Sequence, residues 1–216
     1  MPEPERRRLL ALRHHDPHSI LGAHPGPHGV VVRTYRPGAS AITLLVDGER
    51  PNPMHSGGDG LFAVLLDESR EVSDYQLQVR YPHGATYTVR DPYRFPPTLG
   101  ELDQHLWNEG NHRRPYDHLG AHPMELQGVK GVAFAVWAPD AAGVSVIGDF
   151  NGWDGRLHMM RVLGSSGIWE LFLPDVTPGE RYKFEIRTRD GRVLLKTDPF
   201  ASEMEMPPQS ASVVYE

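Results

Sequence analysis

The string Leu21-Gly22-Ala23-His24-Pro25 returns as Leu119-Gly120-Ala121-His122-Pro123, and this internal repeat restricts the possible folds more than any other feature of the chain. The block Gly29 to Pro37 (GVVVRTYRP) matches Gly131 to Pro139 (GVAFAVWAP). Gly60-Leu61-Phe62 answers Gly167-Ile168-Trp169, Tyr75 answers Tyr182, Gly84 answers Gly191, and Asp91-Pro92-Tyr93 answers Asp198-Pro199-Phe200. The spacing between paired blocks grows along the chain yet holds within each block, which marks insertions confined to loops. The chain therefore reads as two copies of one domain. Its 216 residues suit two small domains and fall short of the roughly 250 of a complete (β/α)₈ barrel.

Each copy has the period-2 pattern of β-strands. Val132, Phe134 and Val136 alternate with Ala133, Ala135 and Trp137. Further strands are expected over 143–148, 168–173, 181–188 and 192–196, and in the first copy near 29–35, 41–47, 61–66, 74–81 and 85–89. Glycine and proline, 22 and 20 residues, supply the turns between them. Asp190-Gly191 predicts a hairpin closed by two residues of positive φ. The pattern predicts an all-β fold of two tandem β-sandwiches. Helical signals lie outside the copies. Thr98 with Glu101 forms a capping box, and Leu99, Leu102 and Leu106 have helical spacing, so a connecting helix is expected over 98–109. A second helix is expected near 4–13. The predicted organisation is a first sandwich with a leading helix over 1–97, a linker helix within 98–114 and a second sandwich over 115–216.

Composition removes several function classes. Net charge is −6 and neither half carries a basic excess, which argues against nucleic acid as a partner. With no cysteine, disulfides, thiolate zinc sites and a cysteine nucleophile are excluded. Arg6-Arg7-Arg8 precede an apolar stretch that stops at Leu12, too short for a signal peptide core, and no stretch reaches the length of a membrane span. The expectation is a soluble, cytoplasmic protein with no membrane partner.

Candidate chemistry is sparse. His14, His15, His18, His24 and His28 cluster in sequence, but Pro17, Pro25 and Pro27 keep them from sharing a rigid frame, so they read as loop, capping or packing residues and no metal is expected. Paired carboxylates such as Asp149 with Asp154, or Asp67 with Glu68, have no surrounding pocket in the pattern. No phosphate loop, Gly-x-Ser-x-Gly elbow or His-Glu-x-x-His run occurs, and no cofactor is expected. What stands out is the run Val144 to Asp154 (VSVIGDFNGWD). A strand delivers Phe150 and Trp153 into a turn built on Asn151 and Gly152, so that one ring can pack inward and the other stand at the surface. Trp153 is either a stacking platform for a sugar ring or a cover for the sandwich edge.

The residues carrying this run resemble a known family. Trp137-Ala138-Pro139-Asp140-Ala141, Gly148 to Arg156 (GDFNGWDGR), His158 to Arg161 (HMMR), Tyr182-Lys183-Phe184 and Lys196 to Ala201 (KTDPFA) are similar to the N-terminal region of bacterial 1,4-α-glucan (glycogen) branching enzymes. Residues 115–213 resemble that family's carbohydrate-binding module of family 48, an immunoglobulin-like, early-set β-sandwich. Residues 1–97 resemble the sandwich that longer bacterial members place before it. The resemblance implies that an α-amylase-type barrel following residue 216 performs the reaction, that this chain alone is inactive, and that its partners are weakly bound α-1,4-glucan or glycogen and its own barrel. From related glucan-binding modules it also implies that Trp153, Lys183 and Asn151 contact glucan. A second stacking tryptophan expected after Asp190-Gly191 is absent, since Arg192 to Leu195 carry no ring. A freestanding glucan-binding module, or the leading part of a debranching or trehalose-releasing enzyme, is the alternative. Met159 stands where branching enzymes often have proline.

Overall fold

Two antiparallel β-sandwiches account for the repeat. The computed structural model describes residues 1–67, 74–100, 107, 109 and 114–216, which divide into two units: His18–Arg94, and Met1–Pro17 together with Phe95–Glu216.

In the first unit the strands are β1 (Gly22–Gly26), β2 (Gly29–Tyr35), β3 (Ala41–Leu45), β4 (Asn52–Pro53), β5 (His55–Gly58), β6 (Leu61–Leu66), β7 (Gln76–Arg80) and β8 (Thr86–Arg90). One sheet runs β1-β2-β6-β5 and the other β4-β3-β7-β8. Alternate residues of each strand point into the space between the sheets, so Val32 and Val64 meet Ile42, Leu44, Leu77 and Val79 in one core.

The second unit contains β9 (Gly120–Leu126), β10 (Val129–Trp137), β11 (Ala141–Gly148), β12 (Arg161–Val162), β13 (Ile168–Pro174), β14 (Arg181–Thr188), β15 (Val193–Lys196), β16 (Glu203–Met204) and β17 (Ser212–Val213). Its sheets are β12-β13-β10-β9 and β11-β14-β17-β16, with β15 sharing with β17 the edge of β14 opposite β11. The orders β9-β10-β13 and β11-β14-β15 repeat β1-β2-β6 and β3-β7-β8 of the first unit. Phe134, Tyr182 and Phe184 pack edge to face at the centre, with centroids 5.0 and 5.8 Å apart.

Several details differ from the sequence reading. The repeated Gly-Ala-His-Pro blocks form edge strands, where Pro25 opposite Val30 and Pro123 opposite Val132 need donate no second ladder bond. His24 and His122 each turn back onto a carbonyl, Leu21 at 2.8 Å and Leu119 at 3.0 Å. At Asp190-Gly191 only Gly191 takes positive φ, 93°. Its N–H donates to the Thr188 carbonyl and the Thr188 N–H to Arg192, a three-residue loop with a glycine bulge. Met159 leaves the neighbouring strand intact, because His158 O and Met160 N make the bonds to β11.

The segments outside the repeats are structural parts of the second unit. Helix α1 (Glu3–Leu10) is shorter than expected, since Leu12 turns to φ 55° and redirects the chain. Residues 1–17, assigned by sequence to the first sandwich, cluster with the second because the segment after α1 is bonded to it. The His15 carbonyl accepts from Val162 N at 2.8 Å, the His15 ring stands edge-on to Trp169, and the Leu12 carbonyl lies where a Cβ on Gly143 would be, 2.1 Å away. Phe95 packs on Phe172 and Leu99 joins Leu119, Ala135 and Ile168, covering the outer side of β10 and β13. The expected helix over 98–109 falls largely outside the described residues. Thr98 gives both its N–H and its hydroxyl to the fully buried Glu170, which also accepts from Arg161 Nε at 2.6 Å. Among the described residues no helix is long and apolar enough to cross a membrane.

Candidate functional site

The loop that follows β11 turns immediately into a 3-10 turn, Asp149–Asn151. Gly148 permits this close turn, because a Cβ there would stand 2.3 Å from the Arg181 carbonyl and 2.6 Å from the Phe150 ring. Gly152 and Trp153 then take left-handed backbone conformations in succession, φ 61° and 62°. For glycine this is ordinary; for tryptophan it is uncommon and is sustained only where the surroundings over-determine it. Here the Trp153 N–H donates to the Gly148 carbonyl at 3.0 Å, closing the loop on the end of its own strand.

Asn151 is buried and organises the loop from inside. Its Oδ1 accepts from Gly148 N at 2.9 Å, and its Nδ2 reaches the Val146 carbonyl and His158 Nδ1, both at 3.0 Å. The amide is occupied by backbone and imidazole. Sequence reasoning offered it as a glucan contact, and the structure places it beneath the loop. Phe150 turns inward onto Phe134 and His158, with centroids at 5.7 and 5.8 Å. Trp153 turns outward and is 38% exposed. The two rings thus divide as the pattern suggested.

Polar contacts tie this loop to β14. The Trp153 Nε1–H donates to Asp149 Oδ1 at 3.2 Å. The same carboxylate receives Arg181 in a forked pair, Nε to Oδ2 at 2.8 Å and Nη2 to Oδ1 at 3.0 Å. Hydrogen bonding from Arg181 holds the Asp149 carboxyl below its ordinary pKa, and Asp149 with Glu205 raises that of Arg181. At the loop's other end, Gly155 lies so close to β14 that a Cβ would come within 2.3 Å of Glu185 Oε1. The loop therefore spans Arg181 to Glu185, and Lys183, at the intervening outward position of the strand, shares its surface. Lys183 is half-buried and its Nζ donates to Ser210 Oγ at 2.9 Å. Ser210 adjoins Ala211, whose N–H donates to Glu205 Oε2 at 3.0 Å. Glu205 in turn accepts from Arg181 Nη1 at 3.0 Å. Trp153 and Lys183 are thus joined through Asp149, Arg181, Glu205 and the 205–211 loop.

Residues 3–93 match the family model described as alpha-1,4-glucan branching enzyme GlgB, N-terminal domain, and residues 118–201 match carbohydrate-binding module 48, the isoamylase N-terminal domain. The two sandwiches are a GlgB N-terminal domain and a family 48 module. The 1,4-alpha-glucan branching enzyme GlgB of Myxococcus xanthus is 51% identical over 216 residues, covering 99% of this chain and 29% of its own length. GlgB 2 of Streptomyces coelicolor is 53% identical over 210 residues, covering 97% of this chain and 28% of its own. The chain thus corresponds to the N-terminal part of GlgB branching enzymes and spans less than a third of these relatives. Within it the Trp153 loop and Lys183 belong to the family 48 module. Arg181 and Glu205, which link them, were missed at the sequence level, since an exposed arginine and glutamate carry no signal until the fold brings them to Asp149.

Of the remaining candidates, Glu68 lies outside the described residues, and His14, His18 and Asp154 make contacts within the fold. His14 contacts Glu5 at 2.7 Å, and the His18 ring meets that of Tyr93 edge-on. Among the described residues no group of three or more histidine and carboxylate side chains gathers as metal ligands. Asp154 is engaged by Arg156 through both oxygens, which lowers its pKa. In the stretch 192–195, where a second ring is expected and absent, Val193 and Leu195 are exposed on β15.

Proposed function

We propose that this chain serves a branching enzyme of glycogen biosynthesis by contacting α-glucan through its second sandwich. The parent activity would cleave an α-1,4 linkage and transfer the cut chain to a 6-hydroxyl as an α-1,6 branch. In that reading the 216-residue chain has no transferase activity of its own and works beside an α-amylase-type barrel, with the protein in the cytoplasm. Trp153 would stack on the apolar face of a glucose ring, and Lys183 would donate to sugar hydroxyls. The observation that carries the reading is the placement of an exposed, edge-anchored indole and a lysine on one surface of a family 48 module. A single ring platform in place of two supports weak affinity.

The test is a titration of the chain with maltoheptaose and glycogen, followed by tryptophan fluorescence and repeated with Trp153→Ala. Saturable binding that the substitution removes is the expected result. No binding by the unaltered chain at tens of millimolar sugar would defeat the glucan-contact role and leave packing against the barrel as the function of these domains.

A further inference from the structure

Arg181 stands at the junction of the side-chain contacts that join the Trp153 loop to the 205–211 loop. One side of its guanidinium holds the Asp149 carboxylate through two parallel bonds, and that carboxylate is the acceptor of the Trp153 indole N–H. The opposite side holds Glu205, which anchors Ala211 beside the Ser210 hydroxyl that receives Lys183. An isolated surface ion pair contributes little, but a forked arginine–carboxylate pair within a network fixes geometry as well as charge. Without the Arg181 side chain, Asp149 would be a part-exposed carboxylate held only by the indole N–H and by a long bond of 3.4 Å from the backbone N–H of residue 181, too little to fix its rotation.

We infer that Arg181 is a positioning residue: acting through Asp149, it fixes the orientation of the Trp153 ring. This rests on the glucan reading above for its purpose, though not for its geometry. A ring already held in its bound orientation avoids the ordering cost that a free aromatic side chain would incur on binding. Losing that preorganisation should weaken binding by about two- to tenfold.

The experiment uses the ¹⁵N-labelled 216-residue chain and follows the Trp153 indole N–H resonance, identified by its disappearance in Trp153→Phe. Its shift, its hydrogen exchange and the maltoheptaose titration are compared for the unaltered chain, Arg181→Ala and Arg181→Lys. In Arg181→Ala the indole resonance should move toward that of a solvent-bonded indole, its exchange should accelerate several-fold, and maltoheptaose should bind about two- to tenfold more weakly. Arg181→Lys, which keeps the charge but not the fork, should recover part of each effect. A purely structural role would lower the melting temperature without moving the indole resonance. An indole whose shift and exchange are the same in Arg181→Ala as in the unaltered chain would overturn the inference. An indole that responds in a chain that never binds maltoheptaose would support the positioning role and reject the glucan reading.

Discussion

The Tyr182 hydroxyl donates to the buried Asp198 carboxylate at 2.6 Å, and the first sandwich repeats the contact between Tyr75 and Asp91 at 2.7 Å with the same separation of 16 residues. In both units the other carboxylate oxygen accepts a backbone N–H two residues on, from Phe200 at 2.8 Å and from Tyr93 at 3.1 Å. Burial raises the pKa of each carboxyl and of each phenol. The Asp-Pro-aromatic block is thus the device that fastens the segment after the last hairpin to a core strand, twice.

Removing the hydroxyl leaves a buried carboxylate short of a donor, a loss of about 1–3 kcal/mol. Tyr182→Phe should therefore destabilise the second unit by that amount and Tyr75→Phe the first. Amide hydrogen exchange resolved by unit checks this, with maltoheptaose binding unchanged in Tyr75→Phe.

Gly143→Ala should loosen the N-terminal segment. The added methyl would stand 2.1 Å from the Leu12 carbonyl, a backbone atom that can yield only by moving the chain. Overpacking of this kind costs about 1–3 kcal/mol. The Val162 N–H, which donates to His15 O, should exchange faster, and a chain beginning at residue 18 should show the same change.

Glu170 is fully buried, with Arg161, Thr98 N–H and the Thr98 hydroxyl as its partners, and Arg161 also donates to the Phe95 carbonyl at 3.3 Å. Breaking one side of such a pair strands the other charge, at a cost of about 3–5 kcal/mol. Arg161→Met should lower urea stability by that much, whereas Arg161→Met combined with Glu170→Met should recover part of it, the remainder reflecting the Thr98 donors and the Phe95 carbonyl left without their partners. Equal losses in the single and double variants would refute the pairing argument.

The Asp149–Arg181 pair should add no pH dependence to glucan binding through Trp153 from pH 7 down to 5. The Asp149 carboxyl is held below its ordinary 3.8 by Arg181, so the folded loop keeps its contribution at every pH above that value. The contribution disappears only as pH falls through the lowered pKa. Maltoheptaose titrations of the unaltered chain and of Arg181→Ala across this range provide the check, and a midpoint between 5 and 7 that is present in the first and absent from the second would contradict the Asp149–Arg181 assignment.

Strands β3 and β7 were legible because period-2 burial is written in neighbouring residues, and β10 because Val132, Phe134 and Val136 alternate in size with Ala133 and Ala135, although both of its faces are buried. The edge strands β1 and β9 were not, since proline and histidine at an edge carry no alternation and their partners are defined by the ladder next to them. Phe150 and Trp153 could be divided into an inward and an outward ring from their spacing and the glycine between them. Asn151 could not be assigned a direction, because an amide suits a loop interior and a sugar hydroxyl equally well until its neighbours are known.

From the sequence alone came the duplication, the β-sandwich class of both copies and the loop that presents Trp153, since repeats, alternation and turn residues are local properties of a chain. Tertiary structure decided the attachment of residues 1–17 and 95–99 to the second sandwich and the joining of Asp149, Arg181 and Glu205 into one network. Those contacts link residues tens of positions apart, and a polar side chain has no preferred partner until burial and strand register bring one within hydrogen-bonding reach.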